Sequence, residues 1–186
     1  PSGGSPHESV FIDGGKRILH ASIGLVYTPL DDPALGPTRD GRVLQVVDAK
    51  TFKVLRRYDL RSALDAIGLD DVSTAVRPLT LSPDERQIYF QLSFFHGYLR
   101  LDRRTGAITK VVRLPNLVTD TPRELYLLDS AHHGIAMNPA GDRICVAGTM
   151  SDYATVVDAR TDRRSRLIMG GLKPYWVTPS WDGKYC

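Results

Sequence analysis

Four polar residues of this 186-residue sequence recur at one position of a repeated pattern: His7, Arg77, His133 and Tyr175. Each stands five residues before the first residue of a short turn: Ile12-Asp13-Gly14-Gly15, Ser82-Pro83-Asp84, Asn138-Pro139-Ala140-Gly141 or Ser180-Trp181-Asp182-Gly183. The residues two to four further on are mostly apolar, and Glu8 and His132 adjoin the histidines. Imidazole, guanidinium and phenol gathered in one ring could do two kinds of chemistry. Arg77 together with imidazole would hold a carboxylate or phosphate through charge-assisted hydrogen bonds. His7 and His133 could instead ligate a metal, but metal sites need three or four convergent donors, and the Arg77 charge opposes a cation. The ring therefore reads as a site for a small polar or anionic ligand, with the metal pair as its weaker alternative. A third reading is a channel mouth that collects polar residues because it is wet. No catalytic residue or cofactor is identified.

Such a ring requires that the same element recur and that its copies lie side by side. The stretches at 6–22, 76–92 and 131–148 each read as an apolar strand, a turn rich in Pro, Asp and Gly, and a second apolar strand; 173–186 begins the plan again. In phase with them, Asp-x-[Lys/Arg]-Thr recurs at Asp48, Asp102 and Asp158, at intervals of 54 and 56 residues (48 to 102, 102 to 158). A carboxylate there can accept backbone N–H bonds two or three residues on and close a local turn. One unit is thus four antiparallel strands, the pattern of a β-propeller blade of roughly 40 residues. The units span 6–59, 76–114 and 132–170, and an incomplete one spans 173–186. Three segments, 28–41, 60–75 and 115–131, are insertions. Apolar spacing predicts a short helix over 60–67, and Thr121-Pro122-Arg123-Glu124 predicts a helical start over 122–127. Connections between consecutive blades emerge on one face, so the last two insertions should flank the polar ring.

These units resemble the YVTN-type propeller repeat, with its Pro-x-Gly strand, Ser-Pro-Asp-Gly turn and Val-Ile-Asp-x-x-Thr turn; Leu81-Ser82-Pro83-Asp84 is the closest copy of the second. The resemblance implies an all-β fold, here about three and a half blades of a seven-bladed ring whose remainder belongs to a longer chain or another polypeptide. In such a ring the first strand of each blade lines the channel, so His133 should face His7 and Arg77 while His132 turns away. The resemblance implies a binding module that recognises a ligand or protein partner over its channel face, in the cell envelope, periplasm or outside the cell. The alternative is a redox, metal-dependent or lactonase-like propeller enzyme, or a subunit of one.

Composition bounds these readings without choosing among them. Hydrophobic residues make up 42% and charged ones 24%, as in folded globular chains. The net charge is +3, and the arginine pairs at 56–57, 103–104 and 163–164 lie near turns with acids close by. They read as solvated surface, with a polyanion footprint as the alternative; nucleic acid is not an expected partner. No apolar run approaches the ~20 residues that span a bilayer. The sequence opens PSGGSP, as a processed or trimmed terminus would. Cys145 lies in an apolar run and reads as a small core residue, and its pairing with Cys186 is left open. His20 is expected to be a satisfied strand histidine, His96 a hairpin-tip residue, Phe94, Phe95 and Tyr98 packing groups, and Trp176 and Trp181 core residues between blades. No nucleophile elbow, P-loop or dinucleotide fingerprint occurs.

Overall fold

The computed structural model describes residues 4–24 and 41–186, all-β apart from one short helix and a few 3-10 turns. Two four-stranded antiparallel sheets come first. Sheet one contains β1 (Pro6–Ile12), β2 (Arg17–Ile23), β3 (Arg42–Asp48) and β4 (Val54–Arg57) in chain order. Sheet two contains β5 (Val76–Leu81), β6 (Gln87–Leu92), β7 (Gly97–Asp102) and β8 (Ile108–Arg113), again in chain order. Sheet three has three strands, β9 (Ile135–Met137), β10 (Arg143–Gly148) and β11 (Tyr153–Asp158). The sequence pattern predicts a fourth strand here, but only the isolated bridges Val157–Arg164 and Ala154–Ile168 form. Arg163, Arg164, Ser165 and Arg166 supply no apolar alternation, and the Ser165 hydroxyl accepts the Val156 N–H. The incomplete unit at 173–186 forms no strand, and the insertion at 28–41 falls, except for Gly41, outside the described residues.

The sheets pack face to face in sequence, with β5 touching both β1 and β9. Period-two alternation assigns the faces of sheet two. Ile88, Phe90, Leu92, Leu99 and Leu101 join Leu19, Leu44 and Val46 of sheet one in one core; Tyr89, Tyr98 and Val112 join Ile144, Val146 and Val157 of sheet three in a second. Helix α1 (Leu60–Asp65), N-capped by Asp59, adds Leu60 and Leu64 to the first core. At the turn ends of the sheets, Arg103 donates to both Asp13 carboxylate oxygens (2.7 and 3.1 Å), and the Asp13 N–H donates to Glu85 (2.7 Å). This stitches three turns together across sheets one and two.

The two repeated turns have repeated chemistry. Thr51, Thr105 and Thr161 each donate an N–H to Oδ1 of Asp48, Asp102 and Asp158 (2.7, 2.7 and 2.9 Å), and each threonine hydroxyl donates to the same oxygen. The next residue, Phe52, Gly106 or Asp162, takes positive φ. In the other turn, Ser82 Oγ donates to Asp84 and accepts from the Gln87 N–H; Ser180 Oγ does the same with Asp182 and Tyr185. At 138–143 the Asn138 side chain accepts from the Asp142 and Arg143 N–H groups instead. A serine-aspartate pair and an asparagine therefore close the same turn.

Removing one of these acceptors opens a turn at its root. Asp102→Ala should lower the melting temperature by a few degrees and speed amide exchange at Thr105. Parental values of both would contradict the role given to the carboxylate. The turn N–H bonds hold Asp48, Asp102 and Asp158 below the usual carboxylate range. Their contribution is therefore present above the unfolded carboxyl pKa of about 3.9 and is lost as pH falls through the lower folded values.

Candidate functional site

His7 lies near the start of β1, Arg77 near the start of β5, and His133 just before β9. Packing of the inner strands brings these starts to one rim. The His7 and His133 Nε2 atoms meet at 2.9 Å, with the rings edge to face. The Tyr175 ring stacks on His133 at 3.8 Å between centroids and 14° between planes, and Trp176 stands edge-on to the same imidazole. Arg77 is only 3% exposed and donates through Nε to Ser93 Oγ at 2.8 Å. All four ring positions read from the repeat thus converge.

The proton positions follow from the partners. His133 Nδ1 lies 3.3 Å from the Tyr175 carbonyl oxygen, which can only accept, so Nδ1 carries the proton. Nε2 of His133 must then accept from His7 Nε2–H, which leaves His7 Nδ1 as an acceptor; it is buried with no hydrogen-bond partner among the described residues. Burial is the main cause that lowers both imidazoles, His7 to about 4 and His133 to about 3. The Arg77 charge lowers both further, as does His7 for His133. Near neutral pH the site is therefore two uncharged imidazoles beside one guanidinium.

The two residues that adjoin the ring in sequence, Glu8 and His132, have different surroundings. Glu8 follows His7 across an irregularity in the β1–β2 register, and its carboxyl is raised chiefly by burial, with a Ser9 backbone bond opposing. His132 turns away, as expected, and is itself fully buried. Tyr153 donates its single hydroxyl proton to the Pro115 carbonyl (3.0 Å), so it accepts from His132 Nε2–H (2.8 Å). His96 lies edge-on to His132 and bonds Tyr126 (3.0 Å). Burial lowers His132 to about 3 and His96 to about 4. Phe95 and Tyr98 are buried as expected, and His20 is satisfied by Ser9 and Ser22.

Other placements correct the sequence reading or add to it. Trp176 and Trp181 are 59% and 96% exposed rather than core, because the segment after 173 pairs with no strand among the described residues. Cys145 is buried as expected and also forms a disulfide with Cys186. Gln91 was not singled out, yet it fixes the site: its amide accepts the Gly134 N–H (2.8 Å) and donates to the Gly134 carbonyl (3.2 Å), next to His133. A glutamine inside the apolar run QIYFQL was the available signal. Gly134 itself is constrained by contact, since a Cβ there would come within 3.0 Å of the Tyr175 carbonyl oxygen and the Ala147 Cβ.

The insertions share the rim. Residues 60–75 contain α1, and 115–131 contains 3-10 turns at Arg123–Leu125 and Leu127–Asp129. Asp71, Val72 and Ser73 from the first and Asn116 and Arg123 from the second line one cavity of about 340 Å³. Ser93, the Arg77 partner, lines it too. No group of three or more His, Cys, Asp or Glu residues is placed to hold a metal among the described residues.

No family model and no curated protein matches this sequence. A solved structure of the hydrazine synthase of Kuenenia stuttgartiensis is similar in fold, with a TM-score of 0.64 and 18% identity over 99% of this chain and 41% of that one. This chain therefore spans less than half of that chain's length.

Lowered imidazole pKa values make stability depend on pH. Unfolded histidines take up protons near pH 6.5, whereas the folded groups resist until about 4 or 3. The unfolded state binds more protons in between, so stability is full above about 6.5 and falls as pH drops. The urea midpoint should decline from pH 7 to pH 5, and His132→Phe should flatten that decline. A midpoint level or rising over this window would contradict the burial of neutral histidine.

Proposed function

We propose that the chain is an arc of a β-propeller of the YVTN type, three blades and part of a fourth, that binds a ligand or protein partner over the rim formed by His7, Arg77, His133 and Tyr175. The observation that carries this reading is the 2.9 Å imidazole contact beside a buried guanidinium. His7 Nδ1 offers an acceptor, Arg77 offers charged donors, and Tyr175 and Trp176 offer aromatic faces. A group with an anionic oxygen for Arg77 and an O–H or N–H for His7 matches that set. The two insertions meeting at the same rim would shape specificity. The fold likeness to the hydrazine synthase structure and the three stacked sheets support the arc. A place in the cell envelope or outside the cell is compatible with the Cys145–Cys186 disulfide, which persists best in oxidising compartments.

Charge ranks a ligand ahead of a metal. Two imidazoles are fewer donors than a zinc site uses, and Arg77 repels a cation. Glycolate, with one carboxylate and one hydroxyl, is a direct probe. Titration should shift the His7 and His133 ring resonances saturably, and Arg77→Gln should weaken binding at least about tenfold, the worth of one charge-assisted hydrogen bond. His132→Phe should leave it within about twofold of the parent, a change of under half a kcal/mol. Equal effects of the two changes, or no saturable shift, would remove the ligand reading. Stoichiometric zinc or copper would replace it with the metal-dependent one.

A further inference from the structure

The opposite end of the sheets carries a second constellation. Strand β1 runs from His7 at one rim to the Asp13 turn at the other, a rise of about 20 Å. Beside that turn, between sheets one and two, lies a cleft of about 700 Å³ lined by Arg17, Arg56, Arg86, Arg103 and Arg104 against one carboxylate, Asp102. Two of the arginines are ion-paired: Arg103 with Asp13 at 2.7 Å and with Glu85 at 3.8 Å, and Arg17 with Asp13 at 3.3 Å. The Asp102 Oδ1 that closes its turn is engaged by Thr105.

The other three are not so compensated. Arg56 makes no ion pair among the described residues: its Nη1 donates to the Arg103 and Arg104 carbonyls (3.0 and 2.7 Å), and its guanidinium lies 4.7 Å over the Tyr58 ring. Backbone carbonyls hold that fork without cancelling its charge, so a cation stands pre-oriented at low entropic cost. Arg104 is exposed with no ion pair among the described residues, and Arg86 has only a loose one with Asp84, at 3.7 Å between two well-exposed side chains. Val46, Leu55 and Tyr58 add apolar surface to the same cleft.

We infer that this cleft is a second binding site, independent of the histidine rim, for an oxyanion ester: a phosphate or sulfate carried on a small apolar or aromatic group. Arg56, Arg86 and Arg104 meet the oxyanion, and the apolar surface covers the group that carries it. The cleft volume falls within the ~300–1,000 Å³ of small-molecule sites. A bounded cleft with an apolar wall favours a small ester over an extended polyanion, which would need a charged track instead.

Calorimetric titration with phenyl phosphate, phenyl sulfate, inorganic phosphate and phenol tests this at low salt. One ester should bind saturably at 1:1 and more tightly than inorganic phosphate or phenol; the preferred ester identifies the oxyanion. The exposed double variant Arg86→Gln/Arg104→Gln should keep the parental melting temperature and weaken binding at least about tenfold, while Arg77→Gln leaves it unchanged. Neither ester binding, or binding undiminished in the double variant, would overturn the inference. So would preferential binding of a single-stranded oligonucleotide, which would mark a polyanion footprint instead.

Discussion

Sheet two has two apolar faces, and everything else in the molecule depends on both being covered. Strand β6 buries five of its six residues, so neither face can be left to water. Burying a large apolar side chain is worth about 1.5–3 kcal/mol, and Phe90 and Leu99 on one face and Tyr98 on the other are fully buried. A single hydrogen bond at a turn is worth about 1 kcal/mol at most sites. The stacking of sheets is therefore set by burial, and the turns fix how each sheet enters the stack.

That stacking has a chemical consequence. When copies of one sheet lie face to face in the same orientation, equivalent positions converge whatever their separation in sequence. His7 and His133 are 126 residues apart and share a hydrogen bond. The fold spends little on this contact, because the imidazoles are buried uncharged; two buried imidazolium groups beside Arg77 would carry a large desolvation and repulsion cost. Gln91 completes the arrangement by accepting the Gly134 N–H, while the Gly134 carbonyl accepts from both Gln91 and the Ala147 N–H, so no donor next to His133 is orphaned.

What could be read from the sequence is what local chemistry repeats. The Asp-x-x-Thr turns were legible because the carboxylate and its partners lie within three residues of each other. Convergence of His7, Arg77, His133 and Tyr175 was legible because it follows from phase alone. The last strand of the third unit was not, since its arginine-rich segment follows the turn motif without the alternation that earns a strand. The exposure of Trp176 and Trp181 was also out of reach, because tryptophan signals burial only where an opposing sheet supplies it. Arg103 looked like surface charge, yet its role depends on Asp13, ninety positions away. Long-range pairing of charges leaves no periodicity to read.

The proton arrangement at the rim is imposed only by the observed packing of His7, His133 and Tyr175. A long-range proton–nitrogen correlation spectrum of the histidine rings at pH 7 measures it. Two uncharged rings are expected, His133 protonated at Nδ1 and His7 at Nε2, with a coupling or shift that marks their shared bond. Two imidazolium rings, or two independent neutral rings averaging between tautomers, would contradict it.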